Sequence, residues 1–448
     1  MSRPHFAYVF ERFPSFTQTF CAREVMELQR QGARLMLFSI RGTDDETVRH
    51  FPASLRDQVI HLPPSAALTA EVEAMKKRQE LPESAVLTLR QWSGRPDKTR
   101  VYEAAWIGRQ LQASGVRHVH THFAGMGART AWWIRQFYGC SYSFTGHAND
   151  LFCPDNATDL KLPRLVADAA CVVAVSDYTA GWLREHYPGS ARRIHRVYNG
   201  LDLEPIVSAT AGVGKAGPPL IVSVGRLIEK KGFDDLIRAC AMLRDQGTAF
   251  ECRIAGEGPL REELEAQITA AGLTDRVYLE GPRSQEEIIV MLGKASVFAL
   301  PCVTEADGGR DVLPTVLMEA MAAALPCVST RLAGVPEMVM DHETGLLTAE
   351  RDPAATAAAL TRLLENPALA RRMGQAGLAL ARERFAQEVT AARLWRLLTA
   401  HGKVNGPFPS PALALARVRQ WTRRFSRTLR TPRHGKKAVF PDSPHGRG

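Results

Sequence analysis

Short apolar runs and amphipathic stretches alternate along most of this chain. FAYVF (6–10) is an apolar run of strand length. It is followed by TFCAREVMELQRQ (19–31), in which Phe20, Val25, Met26 and Leu28 recur at helical spacing. RLMLFSI (34–40) is again a strand pattern, and a helix-rich stretch covers about 65–114. Strand patterns resume at 116–123, 141–146 and 171–176, and RIHRVYNG (193–200) closes the first half. The second half opens with LIVSVG (220–225) and repeats the style, with strands at 252–256, 277–281, 296–301 and 326–330. Helices are expected between them over 232–246, 259–271, 284–293, 314–324 and 353–364, and a last one over about 386–400. Strands alternating with helices predict parallel sheets covered on both faces, an α/β fold.

The two halves are similar in size and meet at LEPIVSATAGVGKAGPP (203–219), whose Gly, Pro and Ala content reads as a linker. This predicts an N-terminal domain over 1–202, a C-terminal domain over 220–385, a closing helix over 386–401 and a tail over 402–448. A chain of 448 residues agrees with two to three domains of about 150 residues each. Two α/β halves on one linker predict a cleft, with ligands at the C-terminal ends of the strands. GVGKAG (212–217) is not a phosphate loop, because Ala209 stands where the first Gly is needed and Ala216 where Ser or Thr is needed. No G-x-G-x-x-G follows the first strand, which disfavours a nicotinamide or flavin enzyme.

Composition narrows the class further. Hydrophobic residues make up 45% and charged residues 23%, as in water-soluble globular proteins. The sequence lacks an apolar run of about 18 residues and an evident signal peptide, so a cytoplasmic location is expected. The eight cysteines form no C-x-x-C and sit mostly in apolar runs, which predicts small core side chains in a reducing compartment. The net charge of +10 is concentrated in the tail. Residues 401–448 hold eleven Lys/Arg and one acid, so subtraction from 57 and 47 leaves 46 bases and 46 acids before them. A neutral body excludes any charge-based argument for a nucleic-acid partner. Within the tail, Val418, Trp421, Phe425 and Leu429 share a helical stripe among six arginines over 413–430. That pattern fits a basic helix lying on an anionic membrane, which would place the protein peripherally on the inner face. A basic coil and a helix docked on the body are the alternatives.

His118, His120 and His122 alternate and would line one strand face. Three imidazoles raise a zinc site, but no acidic or Cys ligand is evident near them in the sequence, so none is expected.

The second half carries the more specific constellation: GRLIEKKGFDDLI (225–237), AGEGPLREEL (255–264), RDVLPTVLMEAMAAALP (310–326) and AGVPEMV (333–339). This resembles the C-terminal domain of the family 4 retaining glycosyltransferases of GT-B fold. FERFPSFTQTFCAREVMEL, HVHTHFA, YSFTGHANDLF and VYNGLD are similar to the N-terminal domain of their colanic-acid and exopolysaccharide members, over about 1–400 in all. The resemblance implies two Rossmann-like domains and a nucleotide-sugar donor, in the first instance a UDP-hexose. It also implies a glycan or lipid-linked acceptor, no cofactor and no metal.

By the same resemblance Arg226 and Lys231 clamp the donor diphosphate, with Lys230 turned to solvent. Leu313, Pro314, Thr315 and Val316 open a helix toward the donor, with Pro314 as its first residue. Glu319 binds the ribose, and Asp311 stands where the family has Glu and contacts the donor sugar. Val312 and Ala324 replace family glycines. His147 reaches the reacting sugar, and Asp150 orients its loop or caps the next segment. Thr17 and Thr19 face the donor phosphate, in a Thr17-Gln18-Thr19 run where the family has Ser-Glu-Thr. Gly256 and Gly258 form a turn that either touches the nucleotide or is simply tight. Two other functions stay open: a non-catalytic sugar-nucleotide binder, motivated by Asp311, and another GT-B enzyme such as a phosphorylase or sugar-phosphate synthase.

Overall fold

The computed structural model describes residues 5–15, 18–43, 48–92, 94–152, 158–214 and 217–401. Thr17, Cys153 and the tail that contains 413–430 lie outside them.

Two parallel sheets organise the chain. The first holds β1 (Phe6–Arg12), β2 (Leu35–Arg41), β3 (Val59–His61), β4 (His118–His122), β5 (Ser141–Gly146), β6 (Cys171–Ala174) and β7 (Ile194–Arg196). The second holds β8 (Leu220–Val224), β9 (Glu251–Ala255), β10 (Val277–Gly281), β11 (Val297–Leu300), β12 (Cys327–Thr330) and β13 (Gly345–Thr348). The orders are β3-β2-β1-β4-β5-β6-β7 and β10-β9-β8-β11-β12-β13. In each sheet the order reverses once, between β1 and β4 and between β8 and β11. Those reversals leave a crevice at the strand ends where α/β folds bind ligands.

The strands read as apolar runs because both sheet faces are covered. Phe6, Tyr8 and Phe10 of β1 pack with Val25, Leu28, Leu394 and Leu398 on one face. Ala7 and Val9 join Trp132 and Trp133 on the other. The helix Gln387–His401 supplies Leu394 and Leu398, so the last described helix returns from the second sheet to the first. Each fully buried leucine contributes roughly 1.5–3 kcal/mol. The return is fixed at the backbone, where Leu201 N donates to Phe385 O and Gln387 N donates to Leu201 O.

The strands and most helices fall within a few residues of expectation. The segment read as linker instead contains a helix, Glu204–Thr210, opened by Pro205 and anchored by buried Ile206. The edge strands β3 and β13 were not expected; they are three and four residues long, too short to show a period. Pro314 is not the first helical residue but the N-cap of Thr315–Ala322, in extended conformation.

The two sheets meet along their C-terminal edges. Glu337, on Val335–Met338 after β12, accepts hydrogen bonds from Asp177 N at 2.7 Å and Tyr178 N at 2.8 Å, and from the Tyr198 hydroxyl at 3.0 Å. A carboxylate thereby caps the exposed N–H groups at the start of the helix Asp177–His186 after β6. Arg310 also donates to the Tyr178 hydroxyl at 3.2 Å. Glu337→Ala removes the charged acceptor for two backbone donors and should lower stability by about 1.5–3 kcal/mol. Denaturant unfolding measures this, and an unchanged midpoint would show that the contact carries nothing.

Candidate active site

At the second switch point, β8 ends in Val224 and the chain turns through Gly225 and Arg226 into a single 3-10 turn, Glu229–Lys231. The turn is pressed close to the loop after β9. A side chain at Gly256, whose φ is +147°, would lie 1.9 Å from Gly225 O, and one at Gly258 would lie 2.5 Å from Leu227 O. Leu227 N donates to Glu257 O and Leu260 N to Leu227 O, so the two loops hold each other. Both glycines therefore have a backbone reason to be glycine.

Lys231 Nζ lies 2.5 Å from Asp311 Oδ2, and Lys230 Nζ lies 3.8 Å from Asp311 Oδ1. The Lys230 side chain is only 13% exposed, so it is not the solvent-facing neighbour expected. Burial pulls the Lys231 pKa down, but the Asp311 carboxylate outweighs it and the net shift is upward; Arg226 opposes that shift from nearby. Two lysines thus share one carboxylate at the end of β8, and the charge of Arg226 reaches Lys231. Neither rival acid pairs with these lysines among the described residues: Asp307 is exposed and accepts from Gly309 N, and Glu305 closes its turn through the backbone, its N donating to Gly309 O.

Asp311, Val312, Leu313 and Pro314 lead into the helix Thr315–Ala322, whose first N–H groups have no side-chain cap. Leu313 and Pro314 are buried, and Thr315 and Val316 partly so. Glu319 on this helix is 9% exposed. Burial raises its pKa, while Arg23 and Gln285 lower it. Arg23 belongs to the helix Thr19–Arg30 that follows β1, so its charge reaches Glu319 from the first sheet. The Arg23 Nε is buried without a hydrogen-bond partner. Thr19 opens that helix and is partly exposed, and its N-cap, Gln18, makes no side-chain cap bond.

At the first switch point, His147 follows β5. Asp150 holds the loop by accepting from His147 N at 3.1 Å, Ala148 N at 2.9 Å and Ala124 N at 3.0 Å. It therefore ties the β4 and β5 loops together rather than only capping the next turn. The His147 ring packs against both Phe20 and Phe123, with centroids 4.9 and 4.4 Å away. Phe123 has φ +67°, a costly conformation for an aromatic residue.

Sequence reasoning missed what lies beneath. His118, His120 and His122 point to one face, and Ser141, Ser143 and Thr145 of β5 lie beside them. His118 bonds both serines at 2.8 Å, and His120 bonds Ser143 at 2.7 Å and Thr145 at 3.1 Å. The matching alternation of HVHTH and SYSFT was the signal available. An acid is also close, contrary to expectation, because Glu24 Oε1 lies 3.0 Å from His122 Nε2. Glu24, His120 and His122 place donor atoms within 4.8 Å of one another. Each of these imidazole nitrogens, however, already has a protein partner, and the set reads as a hydrogen-bonded network. The seven described cysteines are buried and unpaired, as expected of core side chains.

A cavity of about 600 Å³ lies elsewhere. Pro219, Ser296 and Pro326 in its wall immediately precede β8, β11 and β12. It therefore sits at the N-terminal edge of the second sheet, remote from this chemistry.

Two doubly wound sheets meeting at their C-terminal edges, with a cation cluster at one switch point and an imidazole at the other, define a GT-B architecture. The sequence comparisons agree. A model described as Glycosyltransferase Family 4 matches residues 18–205, and one described as Glycosyl transferases group 1 matches residues 211–379. The chain belongs to the family 4 glycosyltransferases. It is similar to the amylovoran biosynthesis glycosyltransferase AmsK of Erwinia amylovora, 44% identical over 34% of this chain and 37% of that protein. It is also similar to the putative colanic acid biosynthesis glycosyltransferase WcaL of Salmonella typhimurium, 39% identical over 41% of this chain and 45% of that protein. The chain thus spans less than half the length of these relatives. Among solved structures, a glycosyltransferase from Rickettsia africae is 14% identical, covers 90% of this chain and 100% of its own, and has a TM-score of 0.69. Anabaena HepE in complex with UDP and glucose is 17% identical, covers 88% and 100%, and has a TM-score of 0.63. Both share the fold.

The histidine ladder has a pH consequence. Burial, and then the charge of His401, lower the His118 pKa to about 3 from 6.5. The folded state therefore binds fewer protons than the unfolded one below pH 6.5, and stability falls as pH falls through that window. From pH 7.5 to 5 the loss from His118 should be about 2 kcal/mol. Denaturation of wild type and His118→Gln at both pH values checks this. The variant should lose less by about that amount, and an unchanged pH dependence would contradict it.

Proposed function

We propose that the protein is a retaining glycosyltransferase that moves a hexosyl group from a nucleotide-sugar, in the first instance a UDP-sugar, to a glycan or lipid-linked glycan in cell-surface polysaccharide synthesis. The observation that carries this reading is the excess of positive charge at the end of β8, where Lys230 and Lys231 hold Asp311 and the charge of Arg226 reaches Lys231. A leaving nucleoside diphosphate develops negative charge, and fixed cations in a cleft stabilise it most where water is excluded. The donor diphosphate takes the place of Asp311 beside Lys231. Asp311 then becomes free to accept hydrogen bonds from the donor sugar.

The uncapped start of Thr315–Ala322 adds free N–H groups toward the donor, and Glu319 takes the ribose hydroxyls. His147 serves the reacting sugar from the opposite sheet. The acceptor hydroxyl attacks from the face the diphosphate leaves, and a leaving-phosphate oxygen takes its proton. Such a scheme needs positioning and charge stabilisation rather than a nucleophilic side chain. It assigns the charge work to Arg226 and Lys231 rather than to a metal. The names of the amylovoran and colanic acid relatives support a polysaccharide pathway, and the UDP bound to HepE supports the donor class. No described helix is long and apolar enough to cross a membrane. The basic stripe over 413–430 is proposed to rest on an anionic membrane, where a lipid-linked acceptor resides.

Lys231→Ala should weaken nucleoside-diphosphate binding by about 1.5–3 kcal/mol, the usual value of a charge-assisted hydrogen bond. Calorimetry with UDP on both proteins decides, and equal affinities would remove Lys231 from the clamp. Asp311→Asn keeps the shape and loses the charge, and turnover should fall about 10-fold or more, or roughly 1.4 kcal/mol. Wild-type turnover there, with loss on Glu305→Gln or Asp307→Asn, would move the role to another acid.

A further inference from the structure

His147 is the end of a hydrogen-bonded series that begins inside the first sheet. The Tyr8 hydroxyl donates to Glu24 Oε1 at 2.5 Å, the same oxygen lies 3.0 Å from His122 Nε2, and His122 Nδ1 lies 3.1 Å from His147 Nε2. Tyr8 and His122 are buried. The four residues come from β1, the helix Thr19–Arg30, the end of β4 and the loop after β5. That loop is held by Asp150, and the ring itself packs against Phe20 and the left-handed Phe123. A strained residue persists where its surroundings over-determine it. His147 Nδ1 has no hydrogen-bond partner among the described residues and is not among the buried unpaired atoms.

We infer that Glu24 and His122 are positioning residues that fix the tautomer of His147, so that its Nδ1–H is the group offered to a bound sugar. This rests on the reading that His147 serves the reacting sugar. The two nitrogens of an imidazole are not equivalent, and the partner of one decides whether the other donates or accepts. The groups around His122 are Tyr8 from β1, Cys21 and Glu24 from the helix, His120 from its own strand, and His147. Burial would lower the His122 pKa, but Cys21 and Glu24 outweigh it and hold it well above the ordinary value. The His147 pKa moves the other way, lowered by burial and then by the charge of His122. A protonated His122 donates at both nitrogens, to Glu24 and to His147. Neutral His147 must then accept at Nε2 and carry its proton on Nδ1. From there it donates to a sugar hydroxyl oxygen, an interaction a satisfied loop histidine would not offer.

Nitrogen-15 NMR of histidine-labelled protein reads the tautomer directly. At pH 7 the His147 Nδ1 should be protonated and its Nε2 should have the shift of an unprotonated nitrogen; the reverse pattern would overturn the inference whatever the turnover. Glu24→Gln, nearly isosteric, should shift that pattern and the pH profile of turnover. It should lower kcat about 10-fold and leave the affinity for UDP within about twofold. His122→Asn should do the same if its melting temperature shows it folded. Wild-type kcat in both variants, with kcat lost in His147→Ala, would overturn the relay and spare the role of His147. Wild-type kcat in His147→Ala would instead overturn the role of His147, with the tautomer still decided by the NMR pattern.

Discussion

The backbone pairing of Leu201 with Phe385 and Gln387 is the constraint on which the rest of the structure depends. It joins the chain leaving the first sheet to the chain leaving the second. It also sends the helix Gln387–His401 back onto the helix Thr19–Arg30. With that return fixed, and with Glu337 capping Asp177–His186, the C-terminal edges of the two sheets confront each other. The fold thereby builds one crevice from two switch points, although neither sheet alone would enclose a ligand. The proposed chemistry depends on that enclosure, because a cation cluster open to water would be screened.

The facing edges differ in character. The second sheet presents Lys230 and Lys231 against a single carboxylate, Arg226 beside Lys231, and a helix start with free N–H groups. The first presents an imidazole set against aromatic rings and linked through His122 to the half-buried carboxylate of Glu24. One edge suits an anionic group, and the other suits a neutral, hydroxyl-bearing one. Half-buried Arg23 and buried Glu319, on helices packed with different sheets, bring charge into the space between them.

Much of this was legible in the sequence because parallel strands covered on both faces leave continuous apolar runs. The helix Pro353–Leu364 matched expectation to the residue, with Asp352 at its cap and Pro353 just inside. Contacts between residues distant in sequence were not legible. Nothing local in CAREVMEL shows that Glu24 will meet His122, 98 residues on, so the histidines read as lacking an acid. Lys230 read as solvent-facing because two adjacent lysines on a turn ordinarily diverge, whereas a tight 3-10 turn brings both to Asp311. Gly256 and Gly258 read equally as contact or turn, and only the approach of the Gly225 and Leu227 carbonyls shows why a side chain has no room. The short edge strands β3 and β13 had too few residues to show a period.

The central claim is that a nucleotide-sugar binds between the sheets with its diphosphate on the β8 turn. A crystal structure of the protein with UDP tests this most directly. The account predicts both phosphates within hydrogen-bond distance of Arg226 and Lys231, the Lys231–Asp311 contact broken, and the ribose on Glu319. UDP found instead in the cavity beside Pro219, Ser296 and Pro326, or bound with the Lys231–Asp311 contact intact, would contradict it.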